Sequence, residues 1–157
     1  MSHQNSTLTK NTAPALRVRP AEPSDVPAVI ALDAETTGLE KPAYWSDLFE
    51  RYGRRAQNRF FLIAEHGEQP VGFIVGEVRA WEFGSPPSGW VFAINVKPGT
   101  RLLGVGSHLF DSICACFRLA GVQKVRTMLS KEATLLMSFF RSQGMRAGPF
   151  IELEKSL

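Results

Sequence analysis

The segment that most constrains the fold of this chain runs from Asn95 to Leu109, Asn-Val-Lys-Pro-Gly-Thr-Arg-Leu-Leu-Gly-Val-Gly-Ser-His-Leu. An apolar, β-prone run from Trp90 to Val96 precedes it, and Pro98 punctuates it. Beyond Gly104 the apolar positions Val105, Leu109, Phe110, Ile113 and Phe117 recur at helical spacing. This order predicts a strand end, a glycine-bearing loop and the N-terminus of an amphipathic helix side by side. The first N–H groups of a helix lack internal acceptors and carry the positive end of the helix dipole, so such a junction suits a phosphate. Gly104 and Gly106 have no Cβ to keep a diphosphate off the backbone, and Arg101 adds a fixed charge. The bland alternative is a tight turn that only caps a helix.

A chain of 157 residues, 44% of them apolar, has the size of one domain with one sizeable core. Its two cysteines, Cys114 and Cys116, lie two apart in a helical pattern and point to different faces, which makes them reduced structural residues rather than a disulfide. Scattered histidines and an isolated Cys-x-Cys do not have metal-ligand spacing, so no metal is expected. No apolar run approaches the length of a membrane span, and no hydrophobic signal segment opens the chain. A cytoplasmic protein with no membrane association is the expectation. The net charge of +3 is mildly basic, and Arg51, Arg54, Arg55 and Arg59 crowd one segment. A solvated helix face running into a loop explains them better than a nucleic-acid surface, so no nucleic-acid partner is expected.

Residues 1 to 13 are rich in Ser, Thr and Asn and read as a disordered tail; residues 14 to 157 form the domain. Leu16 to Arg19 alternates apolar and basic residues and predicts a first strand. A helix capped by Ser24 or Asp25 then extends to Gly38, and a second covers Tyr44 to Arg55. Phe60 to Glu65 and Val71 to Val78 make a hairpin, the breaker-rich stretch Trp81 to Ser88 a loop, and Trp90 to Val96 a strand. After the helix Gly104 to Ala120 come a strand Val125 to Leu129, a helix Glu132 to Ser142 and a final alternating strand Phe150 to Glu154. The order β-α-α-β-β-β-α-β-α-β predicts an α/β (α+β) domain, with a mixed, mostly antiparallel sheet and helices on both faces. An exposed C-terminal strand edge would make a homodimer unsurprising.

At this point the chain resembles the GNAT family of N-acetyltransferases. Its cofactor motif, Gln/Arg-x-x-Gly-x-Gly/Ala, stands here as Arg101-Leu102-Leu103-Gly104-Val105-Gly106, preceded by the family-like Val96-Lys97-Pro98. The segment Phe139 to Met145 is similar to the family's Leu-Tyr-x-x-x-Gly-Phe, and the resemblance spans roughly residues 15 to 155. It implies the GNAT acyl-coenzyme A N-acyltransferase fold, acetyl-coenzyme A as cosubstrate, and direct attack by an amine of a small molecule or protein in a ternary complex. Arg101, Leu102, Leu103, Gly104, Val105, Gly106 and Ser107 would cradle the diphosphate. Backbone groups at Ile94, Asn95 and Val96 would hold the pantetheine arm, with an N–H near Ile94 stabilising the oxyanion.

Two positions depart from the family pattern. The Tyr that often protonates the leaving thiolate falls on Phe140, which has no proton to give. Either the acid lies elsewhere or none is needed: a thiol with a pKa of about 8.5 leaves as thiolate, to be protonated afterwards by water or a neighbouring serine, Ser130 or Ser138. The strand Trp90 to Ile94 also lacks the carboxylate that many relatives use as general base. Glu77, Glu82 and Glu132 are the carboxylates whose segments border the expected cleft, and Asn95 is placed to orient a water. Trp81, next to Gly84 and the prolines, is the aromatic best placed to wall an acceptor site. A second function follows from these departures: a catalytically weak or inactive acyl-coenzyme A-binding regulatory module.

Overall fold

A computed structural model describes residues 13–54, 56–100 and 103–157. The strands are β1 (Leu16–Pro20), β2 (Arg59–His66), β3 (Gln69–Arg79), β4 (Ser88–Val96) and β5 (Val125–Arg126). The α-helices are α1 (Val26–Thr37), α2 (Pro42–Tyr52), α3 (Val105–Leu119) and α4 (Thr134–Ser142). The strands form one sheet in the order β1-β2-β3-β4-β5, with antiparallel pairing up to β4 and a parallel β4–β5 pair.

Strand alternation divides the core in two. Phe61, Ile63, Phe73 and Val75 face α1 and α2, where Val29, Leu32, Trp45 and Leu48 bury against them. Leu62, Ala64, Ile74 and Val91 face the opposite way, onto Val105, Leu109, Phe110, Ile113 and Phe117 of α3 and Phe140 of α4. The mixed, mostly antiparallel sheet with helices on both faces is therefore as expected.

Two irregularities in β4 open the molecule. Val75 pairs with Ala93 while Gly76 pairs with Val91, so Phe92 is an extra residue, a β-bulge that bends the strand. On its other edge β4 pairs with β5 only at Gly89–Val125 and Trp90–Arg126. The Thr127 hydroxyl then donates to the Val91 carbonyl at 2.8 Å, taking the place of a ladder bond, and the strands part. Residues 92 to 96 thus present an edge of β4 with no strand partner among the described residues.

Four local expectations need correction. The strand foreseen over Val125 to Leu129 stops at Arg126, because β4 bends away. The helix foreseen from Glu132 begins at Thr134. Asp25 does not cap α1 through its side chain, and neither does Ser24. The Asp25 carboxylate instead takes Arg19 Nη1 and Nη2 at 2.7 and 2.9 Å and the Glu22 N–H at 2.7 Å, tying β1 to the start of α1. Burial pushes this carboxyl up, but the Arg19 guanidinium and the Glu22 N–H outweigh it and hold the pKa below its ordinary value. A depressed pKa means that this stabilisation is present at neutral pH and is lost as pH falls through the folded value. Finally, Phe150 to Glu154 forms no strand. Alternation alone cannot make one without a neighbour, and β5 is two residues long. Phe150 instead rests on the Arg126 guanidinium, 4.4 Å from its ring centroid.

Candidate active site

The gap between β4 and β5 holds two adjoining cavities. One, of about 390 Å³, is walled by the bulge region of β4, by Thr127 to Leu129, by α1 and α2 through Asp33, Lys41 and Tyr44, and by Phe140. The other, of about 470 Å³, lies towards α3 and is lined by Ile94 to Val96, Gly104, Gly106, Ser107 and α4. Ile94, Asn95 and Leu136 line both, so the partnerless edge of β4 runs from one cavity into the other. The Asn95 amide is fixed by its 3.0 Å bond to the Thr36 hydroxyl on α1.

The second cavity ends on the start of α3. Gly104 caps that helix at φ +70°, a left-handed conformation that favours glycine. The first regular helical bond runs from His108 N–H to the Gly104 carbonyl at 3.0 Å. The N–H groups of Val105, Gly106 and Ser107 precede it, and no backbone acceptor is found for them among the described residues. A Cβ at Gly106 would stand 2.9 Å from Phe139 Cε2, so even a methyl there would press on the ring that lines the same cavity. Gln143 Nε2 donates to Ser107 Oγ at 3.0 Å, which leaves the Ser107 proton free to point elsewhere. N–H groups with no backbone acceptor among the described residues, a helix N-terminus and a missing Cβ make a cradle that fits a diphosphate.

The sequence-derived residues separate clearly. Ile94, Asn95, Val96, Gly104, Gly106 and Ser107 come together around the second cavity, with Val105 buried; Leu103 is exposed and does not line it, its N–H held by the Thr100 carbonyl. Arg101 and Leu102 lie outside the described residues. Ser138, though exposed, lines this cavity, whereas Ser130 lines neither cavity and accepts from the Glu132 N–H. Glu77 lines neither cavity, and both its oxygens are engaged, by the Tyr52 hydroxyl at 2.7 Å and Arg79 Nε at 2.9 Å. Although burial raises it, these two donors hold the Glu77 carboxyl below its ordinary pKa, and burial with the Glu77 bond pushes Tyr52 up. A carboxylate so held is a poor proton acceptor. Glu82 and Glu132 are solvent-exposed, and Trp81 is 69% exposed on the β3–β4 loop, away from both cavities.

The Phe140 ring, 3% exposed, packs on Phe110 and Phe139 while one side lines the first cavity. The carboxylate that does line this cavity is Asp33, a residue the sequence reading passed over. Its signal was present: Asp33 follows Val29 by four on the buried stripe of α1, where a charge needs a partner.

Comparison with known proteins agrees with this geometry. The model of the Acetyltransferase (GNAT) family matches residues 26–145, and the chain belongs to that family, whose members use acetyl-coenzyme A as cosubstrate. No curated protein sequence is significantly similar to it. Among solved structures, the fold is similar to that of the aminoglycoside N-acetyltransferase AAC(6')-Iy in complex with coenzyme A (TM-score 0.81, 16% identity, covering 93% of this chain and 97% of that one). It is also similar to the aminoglycoside 6'-N-acetyltransferase AAC(6')-Ih from Acinetobacter baumannii (TM-score 0.77, 13% identity, 91% and 99% covered). A transcriptional regulator from Bacillus halodurans has the same fold (TM-score 0.76, 17% identity, 91% and 100% covered).

Proposed function

We propose that this chain is an N-acetyltransferase that moves the acetyl group of acetyl-coenzyme A to a primary amine by direct attack in a ternary complex. The observation that carries this reading is the continuity of the two cavities along the partnerless edge of β4. Acetyl-coenzyme A supplies an activated acetyl group: the C–N bond forms, the C–S bond breaks, and the amine's extra proton passes to solvent. The N–H groups of Val105, Gly106 and Ser107 hold the diphosphate, and the free backbone of residues 94 to 96 orients the arm towards the bulge. An N–H near Ile94 faces the carbonyl oxygen as it gains charge. Ser138, which shares the cavity wall with Ser107 and Thr36, is the hydroxyl we assign to return a proton to the thiolate.

The absence of a hydroxyl at Phe140 favours the second reading, a coenzyme-binding module without turnover. Thiol release from acetyl-coenzyme A across a panel of primary amines separates the two. The expected result is release that depends on amine and saturates with it, at a rate above hydrolysis. Tight binding of acetyl-coenzyme A with no amine-dependent release from any member of the panel would leave the binding module as the function.

A further inference from the structure

Asp33 is a side chain only 9% exposed, inside a cavity whose walls are mainly apolar and aromatic. Both of its polar contacts fall on one oxygen: Oδ2 accepts from Trp45 Nε1 at 2.8 Å and forms an ion pair with Lys41 Nζ at 2.8 Å. Oδ1 takes no bond among the described residues, yet no buried side-chain oxygen described is left without a partner or access to solvent. With no donor on it among the described residues, Oδ1 is open to the cavity. Asp33 and Lys41 are the charged residues in this lining, and each offsets the cost of burying the other's charge.

Lys41 shows what the place accepts. Its side chain is 34% exposed and flexible, and its ammonium sits between Asp33 Oδ2 and the Tyr44 ring, 5.9 Å from the centroid. That is a primary ammonium on an alkyl chain, held by one carboxylate and an aromatic face. A lysine ammonium so placed is exchangeable for a ligand's, because it returns to water at modest cost. The amine that attacks a thioester must be neutral, so an acceptor held at Asp33 as an ammonium would react through a different nitrogen.

We propose that the acceptor carries at least two amino groups, one reacting beside the β4 bulge and the other anchored as an ammonium on Asp33, where it displaces or shares the site with Lys41. This deepens the acetyl-transfer reading and rests on it for the role of the first nitrogen. Asp33 and Lys41 are then specificity residues: Asp33 selects the cation, and Lys41 competes with it and weakens retention of ligands carrying a single amine.

The test is calorimetric binding of three ligands with the same alkyl chain, α,ω-diaminobutane, butylamine and aminobutyrate, with and without coenzyme A. It needs no turnover, so it can fail while acetyl transfer stands, and acetyl transfer can fail while it succeeds. The wild type is expected to bind the diamine about tenfold or more tighter than butylamine. Asp33→Asn keeps an acceptor for Trp45 Nε1 and is expected to abolish that preference, whereas Lys41→Met strengthens diamine binding several-fold. Tightest binding of aminobutyrate would make the site a zwitterion or carboxylate subsite, and an unchanged diamine preference in Asp33→Asn would remove the anchor; either overturns the proposal. If Asp33→Asn does not fold, Lys41→Met decides, since unchanged or weaker diamine binding contradicts it.

Discussion

Gly106→Glu is expected to weaken acetyl-coenzyme A binding by about 100-fold or more while the protein stays folded. The glutamate Cβ would meet the edge of the Phe139 ring at 2.9 Å, and the side chain would enter the cavity that Gly106 lines. Its carboxylate would lie where the diphosphate is held, replacing a favourable dipole with like-charge repulsion. The helix itself tolerates the change, because an acid in the first turn complements the dipole. Gly106→Ala separates the two causes: it keeps the steric term, adds no charge, and is expected to cost far less affinity. Calorimetry on both variants beside the wild type is the check, and wild-type affinity in Gly106→Glu would remove the α3 cradle from the account.

A comparable effect on stability is expected where β3 crosses α3. A Cβ on Gly76 would stand 2.6 Å from the Trp90 carbonyl oxygen, 2.9 Å from Ile113 Cδ1 and 3.0 Å from Phe117 Cζ. The first obstacle is backbone of the paired strand, which cannot rotate away, and the others are the tips of fully buried side chains. Overpacking against rigid neighbours costs about 3 kcal/mol, at the upper end of its usual range, so Gly76→Ala is expected to lower Tm by roughly 6–12 °C. Gly89 is a second tight position, since a Cβ there would stand 2.5 Å from Cδ2 and 2.6 Å from Cγ of the buried Phe117 ring. Gly148→Ala, whose nearest atom is 4.0 Å away, is the control, with a change of about 0.5 kcal/mol or less. Equal melting temperatures for Gly76→Ala and the control would contradict this packing.

The opening junction and the hairpin were legible in the sequence because their signals are local. Pro98, the glycines and the period of α3 specify a strand, loop and helix without reference to the rest of the chain. What failed to show was whatever depends on a neighbour. The alternation of Phe150 to Glu154 reads as a strand, but a strand exists only with a partner. The shortening of β5 follows from the Phe92 bulge and the Thr127 hydroxyl on Val91, a contact thirty-six residues apart. The proton-handling side chains were the least legible. Glu77 looked available until Tyr52 and Arg79 closed on it, and Asp33 went unremarked because its partners, Lys41 and Trp45, come from the start of α2.

The most direct test of the central claim is a map of amide N–H chemical shifts on titration of the wild-type protein with acetyl-coenzyme A. The largest changes are expected at Ile94, Val96, Val105, Gly106 and Ser107, the two sides of the coenzyme cavity, with little change along β1 and at the C-terminal segment. Saturable binding whose shifts cluster away from β4 and the start of α3, or no shifts at all, would contradict it.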